Sequence, residues 1–482
     1  LQMYADISSL SQSASGGFIS NGTFSVVATL EVADSYGNIW ESAPSPPVSI
    51  TMTGGTSVQS ITAIVAMYGL EPTRKVYVVW YRTKNGGTTY YRESRTLLSV
   101  SSTTSSTVLG LNETSLSSGA IIYSQGELEN YAPEAPIAVC AEEDRMWAVP
   151  GSSRTHVVAS KPRAPGLGLA FFGQYYRDVP AGGNITALAR QDSSLYALKS
   201  GSVHVAIGKG PEANGTNDDL SEFATLYNNM GAESHLAVYR ASSGIYVKNA
   251  TDLWLIGRNQ QQQRIGMDVE SYSGSQSLRA ITYDNARRLV RFLYGREAQS
   301  CFELVYDEEV GAWSYFTRQS SSDSALPHSA YFNNAMYYVM PVAGAGSKLF
   351  KESATTFTDN GVGYSLKVLT AWIKPGQTLQ GFGRIYRALL LGDNLASHTL
   401  QVRVRYDYET TYSAPYTISS ANATAVNGVW QPEIRFARQK CEAFQLEISD
   451  VSPTGQGFAL SGLSLLVGVK PGSNRQPPQK RF

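Results

Sequence analysis

The sequence predicts an all-β protein: a β-propeller-like repeat array flanked by β-sandwich domains. Three observations carry this. Short runs of alternating apolar and polar residues, separated by Gly, Asn, Asp, Ser and Pro, occur throughout, as strands and turns require. No apolar stripe at helical spacing extends beyond about two turns. A unit of near-fifty residues recurs through the middle of the chain, within the range of propeller blades. The 482 residues include 29 Tyr, 16 Phe and 7 Trp, while charged residues make up only 16%. Aromatic side chains suit a pleated, half-buried surface, and a chain of this length is expected to hold about three domains.

Residues 1–23 are expected to be irregular. Residues 24–123 read as a β-sandwich of immunoglobulin or fibronectin type. Its strands are Phe24–Val32, Ile39–Trp40, Val48–Ile50 and Val76–Arg82, with a turn at Asp34–Asn38 and a hairpin turn at Asn85-Gly86-Gly87 before Thr88–Tyr91. Residues 101–107 are a Ser/Thr-rich stretch of low complexity, and 124–136, with Pro133 and Pro136, read as a linker.

Residues 137–361 hold the repeat. Entry strands recur around Ala138, Ala187, Ala237, Ala280 and Ala330, spaced 49, 50, 43 and 50 residues apart. About nine residues beyond each alanine lies a second strand: Met146–Val149, Leu195–Leu198, Ile245–Val247, Leu289–Phe292 and Met336–Val339. Third strands read at Val203–Ile207, Leu253–Ile256 and Phe302–Tyr306, and a fourth at Ala312–Phe316. A four-stranded blade has two apolar faces and cannot bury them alone; packing blade on blade around an axis does so. A small residue such as Ala suits the innermost strand, where blades crowd the axis.

Residues 362–470 read as a second sandwich, with strands at Tyr364–Trp372, Arg384–Leu391, Thr399–Tyr408, Gln431–Phe436, Ala443–Ser449 and Phe458–Val469. In the third of these, Leu400, Val402, Val404 and Tyr406 fall on one face and Gln401, Arg403, Arg405 and Asp407 on the other. Residues 471–482 lack core formers and read as an exposed tail.

Lys+Arg and Asp+Glu are both 39, giving zero net charge. That argues against a protein built to grip nucleic acid and favours association with other subunits. Cys140, Cys301 and Cys441 are far apart and odd in number, so they read as reduced, small apolar residues. Six N-x-[ST] sequons occur (Asn21, Asn112, Asn184, Asn214, Asn249 and Asn422), as chance allows in a Thr- and Asn-rich chain. No apolar run approaches the ~18 residues of a membrane span. No secretory signal is visible, and the start at Leu1, without Met, reads as the product of a longer gene.

The search for chemistry finds no catalytic, cofactor or metal set. His156, His204, His235, His328 and His398 show no metal-ligand spacing, and His204, inside a strand, reads as a structural histidine. Gly344–Lys348 is similar to a phosphate loop but lacks its spacing and helix, so it reads as a β-turn. Asp307-Glu308-Glu309-Val310-Gly311-Ala312-Trp313 resembles the D-x-x-x-G-x-W turn of sialidase or kelch blades, a structural hairpin. Glu142-Glu143-Asp144 reads as a solvated turn. The one unusual loop is Asn259, Gln260, Gln261, Gln262, Gln263 and Arg264, which reads as a solvated inter-blade loop or, functionally, a polar lining or docking loop. The expectation is a chain that is not an enzyme.

Four segments resemble the tail nozzle, or packaged-DNA stabilisation, proteins of short-tailed bacteriophages. They are Val32–Asn38 with Ser42–Ser45, Leu304–Asp307 with Ala312–Ser314, Gly383–Arg387, and Phe458–Leu465. The resemblance is diffuse but spans most of the chain. It implies a homo-oligomeric ring, usually sixfold, at the distal end of a virion tail. Such a ring retains the packaged genome, conducts it at ejection, and meets tail adaptor or hub proteins and tail fibre or tip proteins. It touches double-stranded DNA transiently and without sequence preference, for which a polar, uncharged wall is suited. The resemblance brings no catalytic motif, and the residues themselves suggest no cofactor, no metal and no membrane span. Two other readings stay open: a carbohydrate-binding or hydrolysing propeller of adhesin or lectin type, and a passive scaffold or receptor ectodomain.

Overall fold

A computed structural model describes residues 5–469, apart from 34–38, 55–57, 67–74, 99–103, 124–125, 132–134, 143, 164–167, 181, 274–276, 296–300, 319–326, 343–345, 354–355, 357, 360–361, 364, 377–382, 395–398, 420–424, 427–428 and 451–457. The expected turn at Asp34–Asn38 and the tail 471–482 therefore lie outside the described residues. The chain divides into two compact units, residues 1–283 with 287–294 and 304–314, and residues 284–286 with 295–303 and 315–482. The described residues are almost wholly β, with two α-helices of four residues each, Glu113–Leu116 and Glu270–Ser273.

The first unit opens with a sandwich. One sheet orders Asp6–Ser13, Ser60–Ala66 and Thr104–Leu109. The other orders Ile39–Glu41, Gly22–Ala33, Val76–Arg82 and Tyr91–Leu97, with Val48–Met52 also pairing with Gly22–Ala33. Residues 6–13, expected to be irregular, pair antiparallel with Ser60–Ala66 because Ile7 and Leu10 reach the core between the sheets. Part of the low-complexity Ser/Thr stretch is likewise a strand, since its alternation lets one face turn inward. That core is built from Phe24, Val26, Ala28, Leu30, Val76, Val78 and Trp80 of one sheet and Ile61, Ala63, Val65 and Leu109 of the other.

Four antiparallel sheets follow in chain order, and in three of them the entry alanine read from the sequence, Ala138, Ala187 or Ala280, lies in the first strand. The first sheet runs Pro136–Glu142, Arg145–Pro150, His156–Ser160, Phe171–Asp178. The expected linker supplies it with a fifth, outermost strand, Asn130–Tyr131, held because Asn130 Oδ1 accepts the Phe171 N–H at 2.6 Å. The second sheet runs Ile185–Gln191, Ser194–Lys199, Val203–Ile207, Ala224–Tyr227. The third runs Val238–Arg240, Gly244–Lys248, Leu253–Gly257, Gln262–Arg264. Its entry alanine, Ala237, sits in a 3-10 turn, His235–Ala237, just ahead of the strand. The fourth runs Leu278–Asp284, Leu289–Tyr294, Cys301–Asp307, Ala312–Arg318, and contributes residues to both compact units.

The first strands of sheets one, two and three lie beside one another, which makes them the inner strands of a propeller-like array. Ser194–Lys199 is buried along its whole length. Leu195 and Ala197 pack with Trp147, Val149 and Val157 of the sheet before, while Tyr196 and Leu198 pack with Ile245, Val247 and Ile256 of the sheet after. A strand covered on both sides in this way reads as a continuous apolar run rather than an alternating one.

In the second unit, His328–Phe332, Ala335–Val342 and Gly346–Lys351 form a three-stranded sheet. Ser347 and Lys348, expected in a β-turn, lie in its last strand, paired with Pro341 and Met340. One face is buried: Met336, Tyr338 and Met340 pack with Cys301. The opposite face carries Phe332, 71% exposed, and Leu349, 68% exposed, so that Ala330, unlike the other repeat alanines, is exposed. The C-terminal sandwich sets Lys367–Leu369, Phe444–Asp450, Thr399–Tyr406 and Tyr416–Ser419 against a sheet centred on Gly383–Asn394 and Phe458–Val469. Leu400, Val402, Val404 and Tyr406 are all buried between them, as their alternation predicts.

Trp80 is wholly buried and Trp40 is 52% exposed. Trp80→Ala is expected to lower the stability of the N-terminal sandwich by about 3–5 kcal/mol, and Trp40→Ala by no more than about 0.5 kcal/mol. Denaturant unfolding followed by tryptophan fluorescence, with wild type as reference, checks both.

Candidate functional site

The polar loop singled out in the sequence is the hairpin that closes the third sheet. Asn259–Gln261 form its turn and Gln262–Arg264 its outermost strand, at the opposite edge from the inner strand. Gln260 adopts a φ of +61°. Its carbonyl accepts the Tyr227 hydroxyl of the second sheet, and Arg258 Nε donates to Asp192 Oδ2 at 2.8 Å. That guanidinium holds the Asp192 carboxyl below its usual range. Arg264 pairs with Asp252 and, at 3.0 Å, with Glu270. The side-chain oxygen of Gln262 is buried without a hydrogen-bond partner among the described residues. The six residues thus stand at the periphery of the array, tied to the neighbouring sheet.

Sequence reasoning placed Glu308 only in a structural turn, and that turn is built as expected. Asp307 Oδ1 accepts the Glu309 N–H at 2.8 Å, and Gly311 takes a φ of +65°, which a residue without Cβ adopts at low cost. Trp313 packs on Phe292 and Tyr306 and donates its indole N–H to Ile265 O at 2.9 Å, joining the fourth sheet to the third. The turn also delivers a nearly buried carboxylate, its side chain 5% exposed. Glu308 Oε1 accepts from Tyr246 at 2.6 Å and from the Ser243 hydroxyl; Oε2 accepts from Tyr283 at 2.9 Å and lies 3.7 Å from Arg288 Nε. Burial, reinforced by the carboxylate, pushes both tyrosine hydroxyls upward, so they stay protonated donors. No sequence spacing links residues 243, 246, 283 and 308; only the stacking of consecutive blades brings them together.

The C-terminal sandwich carries a row of rings and cations on its outward face. Trp372 and Tyr408 lie 4.8 Å apart at 45°. Arg405 sits 5.1 Å from the Trp372 ring and 5.0 Å from that of Tyr412, and Lys374 sits 5.8 Å from Tyr408. Arg405 Nε donates to Gln445 Oε1 at 2.5 Å, and Gln445 Nε2 donates to Thr370 O at 2.6 Å. Lys374 pairs with Glu442 at 3.1 Å, which raises the lysine's pKa.

His204 is structural, as expected: wholly buried, it meets Ser202 Oγ at 2.9 Å and Thr225 Oγ1 at 3.2 Å. Burial and the nearby Lys199 lower its pKa and favour the neutral ring. Among the described residues no group of three His, Cys, Asp or Glu side chains is placed to hold a metal ion, and no helix is long and apolar enough to cross a membrane. All three cysteines are thiols.

No family model and no curated protein matches the chain. Solved structures do. A sialidase of Trypanosoma rangeli in complex with sialic acid is 11% identical, covers 95% of this chain and 95% of its own, and has a TM-score of 0.25. A glycoside hydrolase family 43 arabinoxylan arabinofuranohydrolase of Bacillus subtilis, in complex with cellotetraose, is 9% identical over 84% and 93%, with a TM-score of 0.19. A Bacteroides uniformis protein assigned as a 6-phosphogluconolactonase is 8% identical over 68% and 93%, with a TM-score of 0.33. All three are named as enzymes, so the expectation that this chain is not an enzyme is corrected. At these identities and scores the likeness assigns no reaction to it.

Replacing Glu308 with Ala removes the acceptor shared by two buried tyrosine hydroxyls and leaves them only the hydroxyls of Ser242 and Ser243. The first unit should lose about 2–3 kcal/mol, against about 1 kcal/mol for Tyr246→Phe; equal losses in denaturant unfolding would show that the carboxylate is not the hub. Cys441 is wholly buried and its thiol is pushed up to about 11, chiefly by burial. A raised pKa means less thiolate at pH 8. Iodoacetamide followed by mass spectrometry should therefore label half-buried Cys140 first, and Cys441 only as the pH approaches its raised value.

Proposed function

We propose that the chain is a structural subunit of a bacteriophage tail. Copies of it form the distal ring of a channel that retains packaged DNA and conducts it at ejection. The observation that carries this reading is the open face of the sheet 328–351. A sheet that is apolar on both sides but covered on one is a surface for association, and a ring needs such a surface to meet a different one on the next copy. Three further points support it. The described residues of the four segments with nozzle resemblance lie in the N-terminal sandwich, the fourth sheet and the C-terminal sandwich, so the resemblance follows the module order. The zero net charge suits a conduit whose walls must not hold phosphate. In this reading the peripheral hairpin Asn259–Arg264 is the docking loop for an adaptor or fibre protein.

A second reading, a carbohydrate-binding protein, is favoured by one specific observation, the aromatic row on the C-terminal sandwich, taken up below.

Negative-stain electron microscopy and mass photometry of the purified full chain test the ring. Closed rings of uniform size are expected, and Phe332→Asp with Leu349→Asp should reduce them to monomers of unchanged thermal stability. A wild-type chain that stays monomeric at micromolar concentration overturns the proposal.

A further inference from the structure

Two neighbouring residues at the end of strand Thr399–Tyr406 are held where side chains rarely go. Asp407 and Tyr408 have φ values of +50° and +62°. The Glu409 N–H closes the turn on Tyr406 O at 2.8 Å. Turns with two consecutive left-handed residues are ordinarily built from Asn, Asp or Gly, and an aromatic residue there is strained. The described chain has two other such pairs, Asp192–Ser193 and Asn333–Asn334, both with small polar side chains. Tyr408 is the exception, and the residue is 51% exposed.

The surroundings over-determine this strained pose. Asp407 Oδ1 accepts the Glu442 N–H at 2.6 Å and the Ala443 N–H at 3.3 Å, and Arg438 clamps Asp407 and, at 2.8 Å, Glu409. Trp372 is positioned by the bridge between Ile373 and Phe444, whose N–H and carbonyl groups bond reciprocally at 2.8 and 3.0 Å. Arg405 is held by Gln445 through Nε alone, with its plane against two rings, and its two terminal nitrogens have no hydrogen-bond partner among the described residues. Backbone strain retained in a rigid frame points to function.

We propose that this row is a binding platform for a neutral polysaccharide. The apolar C–H face of a hexopyranose stacks on Tyr408 beside Trp372, and its hydroxyls are met by the donor fork of Arg405 and the acceptor Glu442. Exposed rings with a few fixed polar groups beside them are what such a ligand needs. A nucleic acid would also stack on aromatic rings, but here Asp407, Glu409 and Glu442 offset Lys374, Arg405 and Arg438, leaving no excess positive charge for a phosphate chain. The platform does not rest on the ring reading and lies on a single domain.

Affinity electrophoresis of the full chain through gels cast with dextran, amylopectin, yeast mannan or barley β-glucan tests it, with alginate and a single-stranded oligonucleotide as controls. Retardation by at least one neutral polymer is expected. Tyr408→Gly, which relieves the strain, should weaken it about tenfold or more without lowering the thermal midpoint, and Trp372→Ala should weaken it as well. Ring formation should be untouched by either variant. Migration unaffected by every neutral polymer overturns the proposal. So does undiminished retardation of Tyr408→Gly, the outcome of a merely structural tyrosine, or binding confined to alginate or to the oligonucleotide.

Discussion

Everything in the array depends on one constraint: each sheet must hide two apolar faces and can cover neither by itself. Tyr196 and Leu198 turn one way and Leu195 and Ala197 the other, and both pairs are buried only because a sheet stands on each side. Each such side chain contributes roughly 1.5–3 kcal/mol when fully covered. The rule also explains what happens where a neighbour is lacking. In the sheet 328–351 the side chains on one face are buried with Cys301, while Phe332 and Leu349 on the other stay exposed. An apolar sheet face left uncovered in this way is an adhesive surface.

The same stacking dictates how charge is handled. Arg145 is buried, which lowers its pKa, yet it donates to Ser160 O at 3.0 Å and Pro211 O at 2.7 Å. Lys199, also lowered by burial, donates to Val179 O and Pro180 O. Cations that donate to backbone carbonyls in this way stitch sheets to neighbouring loops. Glu308 performs the reciprocal task, a carboxylate satisfied by hydroxyls from the third and fourth sheets. A polar group between blades needs several partners because the dielectric there is low. This sparing use of charge in the array agrees with the low charged content of the chain.

The strands were legible wherever one of two patterns was clean. Val203–Ile207, apolar but for His204, and Val76–Arg82, apolar up to its closing arginine, both have the bounds expected of them. Leu400 to Tyr406 alternates, and its buried face is the apolar one. Outer strands were harder to read. Asn130–Tyr131, Ala224–Tyr227 and Gln262–Arg264 are short and mostly polar or exposed, because an outermost strand has little to bury. The clusters were not legible. Ser243, Tyr246, Tyr283 and Glu308 meet through blade stacking, and Trp372 meets Tyr408 across a sandwich sheet. Neither contact leaves a trace in local spacing. The sequence reading also overran here: Asp407 and Tyr408, expected as the last residues of the strand Thr399–Tyr408, form a turn after Tyr406, with an aromatic residue in place of a turn former.

That mismatch ties local strain to binding. A hairpin exists to reverse the chain, and Asn or Gly at position 408 would do so at lower cost. Tyrosine there supplies a ring that the core does not use, since this strand's contribution to the buried cluster ends at Tyr406. The strand's alternation sends Tyr406 inward and Arg405 outward, and the left-handed pair then carries the chain past the sheet edge so that residue 408 joins Arg405 on the outer side. A relaxed turn with a small residue would leave Trp372 and Arg405 as a stacked pair with no exposed ring beyond them. The strain is local, it is borne by a rigid sheet, and it presents one more aromatic face to solvent.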